Sequence, residues 1–251
     1  MGYQQKKEFF DKVLTIYGRN AVHEALQDTQ LAIHKLHLAD SNKPAELLRQ
    51  CELLAAKRSI PVEYHDKRRL SFISKNAQQD QGIALDICLN NLHGLDDLRA
   101  HPPKHLLLLD GITNPQNVGM IIRSSAAGFI GGVVIPQKGC ADLGPLTIKA
   151  SAGAIFHANL YRCPTALDAV DLLATSHEII GLALQEAKNL YQEKLDRPAV
   201  FVLGNESEGI SREIRERCHR FAKIPMNHGV ESLNVAVTAA LIAFHPALLP
   251  G

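Results

Sequence analysis

Three apolar runs in the second half of the chain are each followed by a loop rich in Gly, Asn, Ser and Glu. The runs with their loops occupy residues 106–119, 199–209 and 222–234. Continuous apolar runs of this kind are typical of strands that are covered on both faces of a sheet. Loops that leave neighbouring strands at one edge of a sheet converge there. The pattern therefore predicts one site assembled from three loops.

Composition sets only broad limits on the class of protein. The 251 residues are 46% hydrophobic, enough for one large or two small domains. A net charge of +1 gives no electrostatic argument for nucleic acid. No apolar run approaches the roughly 20 residues that cross a bilayer. The first residues lack an apolar signal region, so we expect a cytoplasmic protein with no membrane contact.

Cysteine and histidine spacing argues against a metal site. The five cysteines are scattered and include no CxxC pair, as expected for reduced thiols. The closest histidines, His34 and His37, lie in a strand-like run without a carboxylate at ligand spacing. We therefore expect no bound metal.

Element patterns divide the chain into two α/β units. We predict a flexible tail at residues 1–14, a first unit at 15–90, a linker at 91–104 and a second unit at 105–251. The linker prediction rests on a cluster of Gly, Asp and Pro. A last helix is expected over residues 233–244. The segment is apolar over much of its surface from residue 235 to 249 and could serve a subunit interface or the core. One of its faces carries an apolar stripe of Leu233, Val237, Leu241 and Phe244.

The three loops also carry a family resemblance. Their motif residues stand in order and are Asn117, Gly119 and Arg123, then Gly204, Asn205, Glu206 and Gly209, then Ile224, Pro225, Met226, Ser232, Leu233 and Asn234. Together they resemble the three motifs of the SpoU (TrmH-type) branch of the SPOUT RNA methyltransferases, over residues 105–247. Residues 16–90 resemble the ribosomal-protein-like substrate-binding domain that often precedes them, chiefly through residues 16–22.

The resemblance implies a fold, a reaction and partners. It implies a small α/β RNA-binding domain followed by an α/β domain with a parallel sheet and a deep trefoil knot. The implied reaction transfers a methyl group from S-adenosylmethionine to a ribose 2′-hydroxyl of RNA. The front domain favours ribosomal over transfer RNA as substrate, and SPOUT domains typically form homodimers. An RNA-binding protein that kept this fold and lost catalysis is the alternative, and base methylation is a second one.

The cofactor pocket is expected from the second and third loops. The loop after the first run lacks the GxGxxG pattern of ordinary dinucleotide-binding folds. Gly204 has no side chain, so a flat purine could approach the backbone there. Apolar residues beside it would form the walls. The expected cofactor-binding residues are Leu203, Gly204, Asn205, Ile224, Met226 and Leu233.

By resemblance, Arg123 holds the essential arginine position. The family proposal makes it the general base, but a guanidinium resists deprotonation and could instead grip a phosphate and the developing alkoxide. Glu206 could orient Arg123 through an ion pair, and Asn117 could cap its helix or bond to Arg123 or the ribose. Ser232 is expected near the start of the last helix, close to the substrate. Asn234 would complete the catalytic set, whereas His228 is interpreted as a variable loop residue.

Candidate RNA contacts lie in the first unit. Lys67, Arg68 and Arg69 form the one compact basic cluster, which is either an RNA contact or a solvated surface. Arg19 joins them as a candidate because it lies in the segment that resembles the substrate-binding domain.

Overall fold

The computed structural model describes residues 12–76, 78–183, 188–192 and 195–248. The chain forms two compact units that divide after Asn90. Most of the tail predicted at residues 1–14 lies outside the described residues. Val13 and Leu14 are part of a strand instead, because their backbones pair with Ile87 and Cys88.

The first unit, from residue 12 onwards and apart from residue 77, forms a four-stranded sheet with three helices. Its strands are β1 (Val13–Tyr17), β2 (Ala32–Ala39), β3 (Val62–His65) and β4 (Ile83–Cys88), and its helices are α1 (Arg19–Gln27), α2 (Glu46–Lys57) and α3 (Lys67–Ser74). The strand order is β1-β4-β2-β3, in which only the β2–β3 pair is parallel. Helix α3 packs Leu70 against Ala39 and Ala84 of the sheet.

The second unit is built on an eight-stranded sheet. Its strands are β5 (Leu92–His93), β6 (His105–Leu109), β7 (Gly132–Pro136), β8 (Leu160–Cys163), β9 (Glu178–Leu182), β10 (Lys188–Asn189), β11 (Ala199–Leu203) and β12 (Arg220–Lys223). The order is β10-β12-β9-β11-β6-β7-β8-β5, and every pairing among the described strands is parallel. The prediction of an α/β fold with a parallel sheet is confirmed.

Between and after these strands, the described residues form six helices and three short 3₁₀ segments. The helices are α4 (Leu95–Ala100), α5 (Pro115–Ala127), α6 (Pro145–Ser151), α7 (Ala166–Leu173), α8 (Arg212–Arg215) and α9 (Val235–Ala243), and the 3₁₀ segments are Ala154–Phe156, Leu190–Gln192 and Pro246–Leu248. Every residue of β6, β7 and β11 is buried, as expected for strands covered on both faces.

The linker prediction at residues 91–104 is wrong for most of that segment. Strand β5 pairs with β8, and α4 follows it directly. Leu92 is buried, and Leu98 is fully buried in the core of the second unit. Two leucines are enough to anchor the segment, although the Asp, Gly and Pro residues around them mask the apolar pattern.

Helix α9 buries a different side from the one expected. Its core contacts come from Val235, Ala236, Ala239, Ile242 and Ala243. The predicted stripe lies largely on the opposite side, where Val237 is 46% and Phe244 50% exposed. Of the two roles left open for this helix, the core role applies to its buried side, and the interface role stays a prediction. No helix in the described part of the chain combines the length and apolarity that a bilayer span requires.

Candidate active site at the carboxyl ends of the central strands

The first and second motif loops leave the sheet side by side. Strands β6 and β11 pair in parallel with Leu109 opposite Leu203, so both loops begin at the same edge. The Asp110 amide donates to the Leu203 carbonyl at 2.8 Å, and the Asn205 side chain donates to the Gly111 carbonyl at 2.8 Å. The Asp110 carboxylate accepts from the Ser211 amide at 2.7 Å. Backbone and side-chain bonds therefore hold the two loops together.

The second loop folds back on itself around Asn205. Asn205 and Gly209 exchange two backbone hydrogen bonds of 2.8 and 2.9 Å, and the Asn205 side chain accepts from the Ser207 amide at 2.8 Å. A Cβ on Gly204 would overlap the backbone of Gly209 and Ile210. The glycine expected to leave room for a purine is thus already required by the loop's own fold.

Gly119 has a packing role of the same kind. A Cβ at this position of α5 would overlap the Thr147 carbonyl and lie 2.6 Å from the Ala150 Cβ, both on α6. The glycine therefore allows α5 and α6 to approach closely. This contact fixes the position of α5 and so of the motif residues that it carries.

One polar residue from each motif loop meets at a single point. The Asn117 amide nitrogen donates to Glu206 Oε1 at 2.9 Å, and Asn234 Nδ2 donates to the same oxygen at 2.9 Å. Asn234 Nδ2 also lies 3.1 Å from Asn117 Oδ1. We call these three residues the amide–carboxylate cluster. It joins residues separated by up to 117 positions in sequence.

Two members of this cluster, Asn117 and Asn234, lie at the N-terminal ends of helices α5 and α9. Asn114, and not Asn117, caps α5 by accepting from the Gln116 amide at 2.9 Å. Asn117 lies three residues into the helix and is 3% exposed. Asn234, and not Ser232, caps α9 through the Ala236 amide at 2.9 Å. Capping by Asn114 and Asn234 satisfies backbone amide groups that a helix start otherwise leaves unpaired.

Arg123 stands apart from this cluster. Six residues of α-helix rotate a side chain by roughly 240° beyond one full turn, so Asn117 and Arg123 leave α5 in different directions. Arg123 is exposed, and its side chain has no hydrogen bond or ion pair with any other described residue. The ion pair expected between Glu206 and Arg123 is therefore not formed within the described part of the chain, because Glu206 is held by the two asparagines.

A cavity of about 390 Å³ lies beside the cluster. All six residues expected to bind the cofactor line it, and so does Ser232. Other lining residues were not anticipated, among them Leu182, Ala183, Arg215, Lys223 and Thr238. Leu182 ends β9, which lies between β11 and β12. Only knowledge of that strand order could have added the end of β9 to the site.

The thiols near the loops are poor nucleophiles. Burial raises the pKa of Cys140 and raises the pKa of Cys218 to about 11. Cys218 also donates to the Ile214 carbonyl. Both thiols are therefore protonated at neutral pH, and neither supplies the thiolate that covalent catalysis would need.

The basic residues predicted to contact RNA differ in their surroundings. Lys67, Arg68 and Arg69 are exposed on the first turn of α3. Arg19 starts α1, and its side chain donates to the Gln81 carbonyl at 3.2 Å. Arg19 thus has a local structural contact, whereas the α3 cluster points into solvent.

Within the described residues, one group has metal-ligand spacing, and it lies in the first unit. It consists of His37, Glu63 and His65. His37 Nδ1 lies 2.9 Å from His65 Nε2, and His37 Nε2 lies 3.0 Å from an Asp86 oxygen. Both ring nitrogens of His37 therefore have protein partners, and hydrogen bonding alone accounts for this pair.

The sequence matches two known families. Residues 104–244 match the SpoU rRNA Methylase family, and residues 15–90 match the domain described as RNA 2′-O ribose methyltransferase substrate binding. A relative in Neisseria meningitidis serogroup B, named 23S rRNA (guanosine-2′-O-)-methyltransferase RlmB, is 34% identical over 237 residues. That match covers 90% of this chain and 92% of the relative. The protein of the same name in Pseudomonas aeruginosa is 31% identical and covers 91% and 94% of the two chains.

Solved structures share the fold. The SpoU methyltransferase AviRb from Streptomyces viridochromogenes, solved with AdoMet, superposes with a TM-score of 0.68 at 20% identity, over 95% of this chain and 90% of that one. An AdoMet-bound rRNA methyltransferase from Sinorhizobium meliloti gives 0.68 at 21% identity, over 96% and 89%. The motif loops, the two family matches and the relatives agree, and the chain belongs to the SpoU rRNA methylase family.

Proposed function

We propose that this chain transfers the methyl group of S-adenosylmethionine to a ribose 2′-hydroxyl of ribosomal RNA. One observation carries the proposal: the amide–carboxylate cluster joins all three motif loops of the family beside a cavity. The relatives of similar length that are named 23S rRNA (guanosine-2′-O-)-methyltransferase support ribosomal over transfer RNA. The protonated thiols disfavour base methylation through a cysteine nucleophile.

The cavity residues suit the cofactor. Its volume of about 390 Å³ is in the usual range for small-molecule pockets. Leu203, Ile224 and Leu233 offer apolar walls to an adenine ring, and Arg215 and Lys223 offer positive charge to a carboxylate. When bound, S-adenosylmethionine supplies a methyl group that is already activated on sulfur. The transfer therefore needs no metal, and we propose that none takes part.

The residues of this chain would position and activate the ribose. Ser232 borders the cavity and has its hydroxyl available for the substrate. Glu206 and the two asparagines fix the loops, so we assign them a positioning role. Arg123 is exposed and lacks a protein partner among the described residues, as suits a residue that waits for an RNA phosphate. A permanently charged guanidinium is better suited to anchoring the phosphate and the developing alkoxide than to accepting a proton.

We also propose a homodimer. Seven large apolar side chains of the second unit are exposed among the described residues, and Met120, Phe129, Val237 and Phe244 are four of them. Phe129 and Phe244 contact each other edge to face, with ring centroids 6.3 Å apart. Clustered exposed aromatics of this kind mark interaction surfaces. The trefoil knot and the cytoplasmic location stay predictions.

The first unit would bind the RNA. Its match to a substrate-binding domain and the exposed basic start of α3 support this role. Removing residues 1–90 should leave a dimer that binds the cofactor but holds RNA much more weakly. Unimpaired RNA affinity of the shortened protein would refute the division of labour.

The decisive test is to map 2′-O-methyl groups in RNA from cells with and without the gene. One ribose methylation in ribosomal RNA should disappear without the gene and return with the parent but not with Arg123→Ala. Mass spectrometry of RNA treated in vitro then separates ribose from base methylation. Cofactor and RNA binding without methyl transfer would instead identify a binding protein that has lost catalysis.

A further inference from the structure

Helix α3 presents an aromatic ring to solvent in basic surroundings. Leu70 is 1% exposed and packs into the core of the first unit. Phe72, two positions later, is 84% exposed, more than any other large apolar side chain in the described part of the chain. Arg68 and Phe72 are four residues apart and share one face of the helix, and Lys75 is the residue at which the helix ends.

Four cations without protein partners among the described residues lie within five positions of Phe72 in the chain. They lie at the start and end of α3 and are Lys67, Arg68, Arg69 and Lys75. None of their side chains forms a hydrogen bond or ion pair with another described residue. Arginines elsewhere hold carboxylates, as Arg217 holds Asp171 at 2.7 Å. Four unpaired cations on nine residues are a local concentration of positive charge in a chain whose net charge is only +1.

We propose that this basic–aromatic face, formed by the four cations and Phe72, binds unpaired nucleotides of the RNA substrate. Lysine and arginine neutralise backbone phosphates, and an exposed aromatic ring stacks on any base that is not paired. Proteins read RNA mostly at loops, bulges and single strands because bases in a double helix are inaccessible. The proposal rests on the proposed function and adds the kind of RNA element that the first unit recognises.

The chemistry of the face favours RNA over a protein partner. A protein interface of useful affinity needs a buried apolar centre, usually of several residues. Phe72 has only polar or charged residues one turn away on its exposed side, including Arg68, Arg69 and Lys75. One exposed aromatic side chain with several cations near it suits an unpaired base and the phosphates on either side of that base.

Four forms of the full chain test the proposal: the parent, Phe72→Ala, Phe72→Tyr and Leu53→Ala. Leu53 is the matched control, because it is a large apolar side chain of the same unit, 59% exposed, on α2, where two acidic and two basic residues balance. Fluorescence anisotropy would measure binding to a labelled single-stranded RNA of about twelve nucleotides and to its duplex. Circular dichroism would verify folding, and calorimetry would measure cofactor affinity.

We expect Phe72→Ala to weaken binding to the single strand about 5- to 150-fold, the range found for loss of one stacked base. Binding to the duplex should change less than twofold, because a paired base offers no free face. Phe72→Tyr should retain parental affinity, and Leu53→Ala should behave as the parent. Cofactor affinity should be equal in all four.

Parental affinity of Phe72→Ala for the single strand would overturn the proposal. Equal losses with single strand and duplex, or an equal loss in Leu53→Ala, would also overturn it. A parent that does not bind the single strand measurably would have the same consequence. Failure of the proposed function would look different: stacking would depend on Phe72, but no ribose methyl group would be transferred to RNA.

Discussion

The amide–carboxylate cluster makes a sharp prediction for Asn117→Asp. The two side chains have nearly the same shape, so the change replaces one amide with one carboxylate at an almost fully buried position. The amide nitrogen that donates to Glu206 is lost, and two carboxylates are left in contact. The Asn234 side-chain amide can still donate, either to the remaining oxygen of residue 117 or to Glu206.

The expected loss in the free energy of unfolding has two contributions. Loss of a hydrogen bond to a charged acceptor costs about 1.5–3 kcal/mol. Two like charges about 4 Å apart repel by about 4 kcal/mol at an effective dielectric constant of 20. Glu206 is exposed, so water screens this repulsion and we reduce it to about 1–2 kcal/mol. Asn117→Asp should therefore lower the free energy of unfolding by about 2.5–5 kcal/mol at neutral pH.

Urea unfolding followed by circular dichroism measures this loss, since the chain has no tryptophan. Part of the loss should be recovered at pH 5 because protonation removes one of the two charges. Calorimetry should show weaker cofactor binding in the same variant, since Glu206 borders the cavity. Asn114→Asp is the matched control. It makes the same chemical change three residues earlier, at a helix cap where aspartate serves as well as asparagine.

A charge swap isolates the contact. Asn117→Asp combined with Glu206→Gln restores one carboxylate and one amide with their positions exchanged. The double variant should return to within about 1 kcal/mol of the parent, so the two changes should be strongly non-additive. An unfolding midpoint of Asn117→Asp equal to that of the parent would show that the cluster is not packed as described. A double variant no more stable than Asn117→Asp would show that Glu206 is not the partner.

Three further predictions concern the cofactor, the chemistry and pH. Gly204→Val should abolish cofactor binding in calorimetry, because its side chain would overlap the loop's own backbone, whereas Gly144→Val, with open space around it, should bind as the parent does. Arg123→Ala should reduce methyl transfer about 100- to 1000-fold with cofactor affinity nearly unchanged, and Arg123→Lys should stay inactive at high pH if the residue is an anchor. Burial, with the nearby charges of Lys104 and His177, lowers the pKa of His105 to about 4, so unfolded protein binds a proton below pH 6.5 that folded protein does not. Stability should thus fall by about 3 kcal/mol from pH 6.5 to below 4, and the fall should be smaller in His105→Leu.

Each of these has a contrary outcome. Tight cofactor binding by Gly204→Val would place the cofactor elsewhere. Near-parental turnover of Arg123→Ala would exclude both roles considered for that residue, and activity of Arg123→Lys that rises with pH would favour a general base. An acid profile unchanged in His105→Leu would assign the pH dependence to other groups.

The arrangement of the site could be predicted from sequence to the level of loops. Apolar runs followed by polar loops were sufficient to predict that three distant segments meet, because parallel strands deliver their loops to one edge. The individual contacts were not predictable. Glu206 accepts from Asn117 and Asn234 and not from Arg123, since the direction in which a side chain leaves α5 depends on where that helix starts. Asn117, which could have capped this helix, instead lies inside its first turn.

Strand order and short elements also could not be predicted from the sequence. Leu182 lines the cavity because β9 lies between β11 and β12, which no local pattern encodes. Strands of two residues, such as β5 and β10, are too short for any periodicity. The exposed side of α9 also escaped prediction, because the helix is apolar on nearly every side and its stripe does not indicate which side faces the core.

The place of β11 in the sheet has a consequence for how the protein is made. This strand pairs with β6, almost a hundred residues earlier in the chain, and Asn234 of the cluster follows later still. Until residue 203 has left the ribosome, β6 exposes an edge with no neighbour on that side. Pairings between such distant segments form slowly and leave apolar edges open to aggregation in the meantime. The nascent enzyme is therefore catalytically silent until Asn234 has been synthesised, and products truncated before that residue should accumulate as insoluble protein rather than as partly active fragments.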